Sequence, residues 1–434
     1  MRSVVPCIRR HRRLVAGALV LAAALTGTRS LVSDASAQRS FVSAVRVRAF
    51  ATQPAPSRWV AAWSASPEFA TPRVRFAQGF DGQTVRNVVF TSAAGGMARV
   101  QFSNVFGHRW LEIGRAAIGQ ESAGAAVVAG SAAPLTFSGR PSVLIPPGRS
   151  LVSDPVRLSV DPLEQIVISV YLPRATGAPT DHATASQINY VAAGDHVFDA
   201  APDAFTTETP SWYFVTGVDV LTSDRDHGTV VAFGDSITDG ARSLLNANAR
   251  WPNDLARRLD SRRGATLSVV DAGIAGNQVL SRTRCCGTSG LARFARDALS
   301  QPSATAVILL EGVNDIGAGK DVSAAEIIAG YRRLIARSHA AGLKIFGATL
   351  TPFQGALYWT PAGEAKRDAV NAWIRHSGAF DGVIDFASAV ADQQDPARLR
   401  PEYDSGDHLH PNDAGYRAMA DVVNLSMLLR SPQR

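Results

Sequence analysis

The feature that most narrows the fold of this 434-residue chain is a change of hydrophobic period at Gly228. From Arg58 to about residue 222 the apolar residues fall in short alternating or β-branched runs: 84–92, 98–106, 125–130, 142–146, 157–160 and 165–173. Gly, Pro, Asp and Ser clusters separate these runs and no helical stripe of four turns appears. That pattern predicts an antiparallel β-sandwich of jelly-roll type. From Gly228 onward, nearly continuous apolar runs at 229–234, 266–273, 305–312, 344–350 and 383–386 alternate with amphipathic stretches. Strands buried on both faces read this way, so the second half is expected to be a three-layer α/β/α parallel sheet. The clearest helix covers 323–341, where Ile327, Ile328, Tyr331, Leu334 and Ile335 share a face behind Ser323 as N-cap. With 46% hydrophobic residues the chain has apolar material for both domains. The expected division is 57–222 for the sandwich and 223–434 for the α/β domain.

Ahead of the sandwich, an Arg-rich start, the apolar run Leu14–Thr26 and the small residues Ala35-Ser36-Ala37 predict an export signal over residues 1–37. The run is shorter than the roughly 20 residues that cross a bilayer, so no transmembrane anchor is expected once the signal is removed. Arg12-Arg13 leaves the twin-arginine route open beside the general one. Residues 38–56, ending in Gln53-Pro54-Ala55-Pro56, read as a flexible lead-in. The formal charge of +7 is misleading: six Arg against Asp34 lie within the first 37 residues, and the remainder holds 38 basic against 36 acidic residues. Nucleic acid is therefore not an expected partner, and the destination is secreted or periplasmic.

Chemistry is concentrated at the carboxyl ends of the predicted parallel strands, where open α/β sheets place ligands. Gly234-Asp235-Ser236-Ile237-Thr238-Asp239-Gly240 follows the first strand, and its glycines permit the sharp turn that exposes a small nucleophile. Ala272-Gly273-Ile274-Ala275-Gly276-Asn277 follows the second and Glu311-Gly312-Val313-Asn314-Asp315 the third. A backbone N–H at Gly276 and a side-chain amide at Asn314 suit a developing oxyanion. Near the C-terminus, Asp407 precedes His410 by three residues, so one turn can set the carboxylate on the ring nitrogen facing away from a serine. His408 and Asp404 compete for the same roles. Taken singly, each motif equally describes a turn, a cap or a solvated loop; four of them in order at successive strand ends point to catalysis.

These four blocks resemble those of the SGNH hydrolases of the GDSL esterase/lipase family: GDSITDG the first, AGIAGN the second, GVND the third and DHLHP the last, over residues 228–434. The resemblance implies a flavodoxin-like SGNH fold, Ser236 as nucleophile, Asp407 and His410 as the rest of the triad, and Ser236, Gly276 and Asn314 as oxyanion-hole donors. Ile237 stands where the family name has Leu. WVAAWSASP near the start of the β-rich region is similar to the bacterial two-domain branch. The expected activity is ester hydrolysis through an acyl-enzyme, without a cofactor, on a small-molecule or polysaccharide-linked ester with a short acyl group such as acetyl. A lipase or lysophospholipase of the same family, and a glycan-binding protein with an inactive hydrolase domain, are the alternatives.

Several other residues carry paired expectations. Asp235 and Asp315 brace turns or bind water or substrate; Trp251, Trp359 and Trp373 pack a core or line a sugar or acyl site. Arg282, Arg284, Cys285 and Cys286 belong to a loop that rims the cleft or turns in solvent. Cα atoms of neighbours lie about 3.8 Å apart, below the usual disulfide range of about 4.4 to 6.8 Å, so the two cysteines are expected as a loop feature rather than a disulfide. No nearby His gives them metal-ligand spacing. The chain lacks G-x-S-x-G, HExxH, CxxC and GxxxxGK[ST] motifs.

Overall fold

The computed structural model describes residues 57–429 except 225, 263–265, 284 and 318–321. The expected leader (1–37) and lead-in (38–56), together with Arg284, lie outside the described residues.

Beyond Gly228 the apolar runs form a five-stranded parallel sheet, Gly228–Gly234, Leu267–Gly273, Ala304–Leu310, Lys344–Ala348 and Gly382–Ile384. In space the second strand lies beside the first, followed by the third, fourth and fifth. Every neighbouring pair is parallel. This is the flavodoxin-like order, and its switch point falls beside the first strand, whose Val230, Val231, Ala232 and Phe233 are fully buried. The helix Ala324–Ala340 begins with a capping box in which Ser323 and Glu326 exchange side-chain and backbone hydrogen bonds. It lays Ile327, Tyr331, Leu334 and Ile335 on the core.

The β-rich region consists chiefly of two antiparallel sheets. One joins Arg58–Ser64, Val215–Thr222 and Gly95–Ser103 in that order, with Ser150–Val152 and Val156–Val160 both on the last. The other is seven-stranded, and Gln83–Phe90 and Gln165–Leu172 pair at its centre. Val85 and Ile168 from one sheet and Val100 and Phe102 from the other bury into a shared core, which is what alternating residues of two facing sheets produce.

The two cores meet along the outer edge of Leu267–Gly273, an edge strand of the parallel sheet. Ser92 Oγ donates to the carbonyl of Val269 at 2.7 Å and accepts its N–H at 3.1 Å, while Ser64 Oγ donates to the carbonyl of Asp271 at 2.7 Å. Serine hydroxyls thus take the place of a further strand and protect an edge that would otherwise invite pairing. Ala61, on the first antiparallel strand, is already part of the α/β core.

Of the three tryptophans expected to pack a core or line a site, all join the α/β core: Trp251 is fully buried, and Trp359 and Trp373 are half-buried against it. Trp251 meets Phe386 with ring centroids 5.2 Å apart. Trp251→Ala is expected to cost about 3–5 kcal/mol of stability, read as a lowered denaturant midpoint; an unchanged midpoint would contradict a core role.

Candidate active site

The first parallel strand ends at Gly234, where a Cβ would stand 2.1 Å from the Leu310 carbonyl and 2.3 Å from Thr238 Oγ1, so only glycine allows the chain to turn here. Asp235 then caps the single helical turn Ser236–Asp239, accepting the Ile237 N–H at 3.0 Å. Ser236 opens that turn, 5% exposed at the carboxyl edge of the sheet.

The C-terminal loop meets it from 174 residues away. His410 Nε2 lies 2.8 Å from Ser236 Oγ, and His410 Nδ1 lies 2.8 Å from Asp407 Oδ2. With the ring proton on Nδ1 facing the carboxylate, Nε2 is left to accept from the serine hydroxyl. Asp407 also accepts the backbone N–H groups of His410 (2.9 Å) and Leu409 (3.1 Å) and pairs with Arg242 at 3.0 Å. Burial pushes its carboxyl up, but those N–H groups and the His410 ring outweigh it and hold it well below the usual carboxylate range. The Ser405 N–H donates to the His410 carbonyl, and Asn412 caps the next helix, Asp413–Asp421, fixing the loop at both ends. His408 forms a separate, more exposed pair, its Nδ1 2.5 Å from Asp404 Oδ2. Of the two candidate bases, the fold brings His410 to Ser236.

The other two blocks lie beside this turn. Gly276 adopts φ +75°, and a Cβ there would meet Cys286 Sγ at 2.6 Å. The backbone N–H groups of Ser236 and Gly276 donate to no acceptor among the described residues. Asn314 Oδ1 accepts from Tyr358 Oη at 3.2 Å, and its Nδ2 donates to the Asn277 carbonyl at 3.0 Å, which leaves one amide N–H. Asp315 accepts the N–H groups of Val279 (2.8 Å) and Leu280 (3.1 Å), tying the second loop to the third. Asp235 and Asp315 therefore act as turn braces.

Two supports are absent from the motif reading. Arg293, fully buried at the end of Gly290–Phe294, donates to the carbonyls of Gly234 and Ala272 (both 2.7 Å) and to Asn277 Oδ1 (2.8 Å). A π-helical turn, Ala295–Leu299, follows it. His182, from the β-rich region, donates Nδ1–H to the Ser66 carbonyl and Nε2–H to Asp239 Oδ1, both at 2.9 Å. Asp239 Oδ2 in turn accepts the Ala275 N–H at 3.0 Å. Lone Arg and His residues in ordinary sequence context gave no local signal for either role.

Cys285 and Cys286 are joined as a disulfide, which corrects the expectation of two unbonded neighbours. The bond forms although the two Cα atoms are only 3.8 Å apart, and Gly287 follows it at φ +73°. Arg282 lies over the Phe69 ring, 4.9 Å from its centre.

Residues 232–418 match the family described as GDSL-like Lipase/Acylhydrolase. Solved structures similar to the chain include a putative acylhydrolase from Bacteroides fragilis, at 22% identity, covering 48% of this chain and 90% of that one with a TM-score of 0.37. The aryl esterase of M. smegmatis is 17% identical, covering 45% and 95% with a TM-score of 0.37. Est24, a carbohydrate acetylesterase from Sinorhizobium meliloti, is 16% identical, covering 44% and 94% with a TM-score of 0.36. No curated protein matches the chain.

The buried charges around the site give stability a definite pH dependence. Burial pushes Glu311 up to about 8, Asp235 to about 7 and Asp315 to about 6. Burial alone would lower His182, but Asp239 and Glu68 raise it to about 10. In all four groups the folded state holds its proton more tightly than the unfolded chain, so their contribution is lost as pH rises: between about 4 and 8 for the carboxyls, between about 6.5 and 10 for His182. Asp407 acts oppositely, losing its contribution as pH falls below about 4. The denaturant midpoint is expected to fall from pH 5 to pH 9, with a shallower slope in Glu311→Gln; a midpoint that rises over that range would refute this reading.

Proposed function

We propose that the chain is an exported serine ester hydrolase acting through an acyl-enzyme on short acyl esters such as acetyl esters, including carbohydrate-linked ones. The observation that carries this reading is the continuous relay of 2.8 Å contacts from Ser236 Oγ through the His410 ring to Asp407. In the proposed reaction Ser236 Oγ attacks the acyl carbonyl carbon while His410 Nε2 takes the hydroxyl proton. The carbonyl oxygen becomes an oxyanion that accepts from the Ser236 and Gly276 N–H groups and the Asn314 amide. Asp407 keeps the ring in the required tautomer and stabilises the imidazolium. Collapse of the tetrahedral species breaks the ester C–O bond, and the leaving alcohol takes the proton from His410. Water then attacks the acyl-enzyme with His410 as base, releasing the carboxylic acid and restoring the serine.

Export is supported by the leader pattern of residues 1–37 and by the Cys285–Cys286 disulfide, a bond that persists in oxidising compartments. Among the described residues no helix is long and apolar enough to cross a membrane.

The test is hydrolysis of p-nitrophenyl acetate by the purified protein. Ser236→Ala is expected to lower kcat at least about 10³-fold, and Asn314→Ala by about 10²–10³-fold with little change in KM. Wild-type rates in Ser236→Ala would exclude the mechanism, and absence of hydrolysis by the wild-type protein would favour a binding role for the second domain.

A further inference from the structure

A cavity of about 370 Å³ opens beside the candidate oxyanion loop. Its α/β wall includes Ala275 and Cys286; its β-rich wall includes Arg73, Arg75, Thr184 and Ser211. Ala275 directly precedes Gly276, and consecutive Cα atoms are about 3.8 Å apart. This wall of the cavity therefore adjoins the glycine proposed to donate to the oxyanion.

The cationic side chains of this cavity, Arg73 and Arg75, are exposed. Neither Arg73 nor Arg75 has an ion-pair partner among the described residues; Arg75 Nη1 donates to the backbone carbonyl of Glu208 at 2.7 Å. Glu68 is the acid in the lining, and it faces inward: it is 3% exposed, accepts the Ala183 N–H at 3.2 Å and lies 3.9 Å from His182 Nδ1. Arg282, from the loop that follows Gly276, stacks on Phe69, the residue after Glu68. Planar guanidinium forks match carboxylate, sulfate and phosphate oxygens, and paired cations in a recess concentrate anions. The Thr184 and Ser211 hydroxyls add polar contacts, and the polarisable disulfide sulfurs offer a surface for C–H groups.

We propose that this cavity is an anion subsite: the ester cleaved at Ser236 carries a carboxylate or similar anionic group close to the reacting carbonyl, and Arg73 and Arg75 hold it. The proposal rests on the ester-hydrolase reading and narrows its substrate class to anionic esters.

Three chromogenic esters separate the outcomes: p-nitrophenyl acetate (neutral), p-nitrophenyl hemisuccinate (anionic acyl group) and 3-carboxy-4-nitrophenyl acetate (anionic leaving group). At low salt the wild-type protein is expected to give at least a tenfold higher kcat/KM on one anionic ester than on the neutral one, mainly through KM, and which ester it is assigns the subsite to the acyl or the alcohol side. That ratio is expected to shrink as ionic strength rises and to fall tenfold or more in the Arg73→Glu/Arg75→Glu double variant, with partial rescue in Arg73→Lys/Arg75→Lys. If wild-type protein cleaves p-nitrophenyl acetate but shows no preference for either anionic ester, or if salt leaves the preference unchanged, the subsite is overturned while the hydrolase stands. If it cleaves none of the three, both readings fail together.

Discussion

The buried guanidinium of Arg293 holds the ends of the first two parallel strands to the loop that follows the second. It donates to the terminal carbonyls of the first two parallel strands, at Gly234 and Ala272, and to Asn277 in the second loop. Glu311, just past the third strand, lies 3.8 Å from its Nη2, and Asp297 lies 3.3 Å from its Nη1. A fully buried cation is tolerated only with such partners, and its removal would take a donor from the Gly234 and Ala272 carbonyls and from Asn277 Oδ1. The Phe233 ring, 3.9 Å from the guanidinium carbon, closes the remaining side. The relative placement of Ser236, Gly276 and Asn314 therefore depends on a residue that is itself distant in sequence from each of them.

The β-rich region is part of this arrangement. Its His182 grips Asp239, at the end of the serine turn, and Asp239 grips Ala275, beside the candidate oxyanion glycine. Arg250 strengthens the same seam, donating Nε–H to the Asp239 carbonyl at 2.9 Å and bonding through Nη2 to the Ala185 carbonyl. Arg293 reaches across as well, from the strand ends to Ser66 Oγ at 3.2 Å. Two loops of the α/β region are thus oriented by groups of the β-rich region, whose Arg73 and Arg75 line a cavity together with Ala275.

Much of this was legible because local pattern and tertiary role coincide. The five parallel strands lie within a few residues of their apolar runs, since strands buried on both faces leave a continuous signature. The helix after Ser323 announced itself through its cap and its stripe. The motif residues were legible because turn glycines, a small nucleophile and a closely spaced Asp/His pair constrain one another within a few positions. Arg115–Ala123 and Val215–Thr222, both interior strands, were not legible: Gly, Ser and charged residues interrupt their alternation, and cross-strand neighbours complete their burial. Arg293 and His182 escaped for a related reason, since a buried charge is defined by partners far away in the chain. The disulfide is not legible in the sequence because its Cα separation of 3.8 Å lies below the usual disulfide range.

The proposed chemistry turns on activation of the Ser236 hydroxyl by the His410 ring. It is tested most directly by treating the protein with a fluorophosphonate and locating the adduct by peptide mass spectrometry. A single stoichiometric adduct on Ser236 is expected, formed far more slowly in His410→Ala. Labelling at another residue, or equal labelling rates with and without the imidazole, would contradict it.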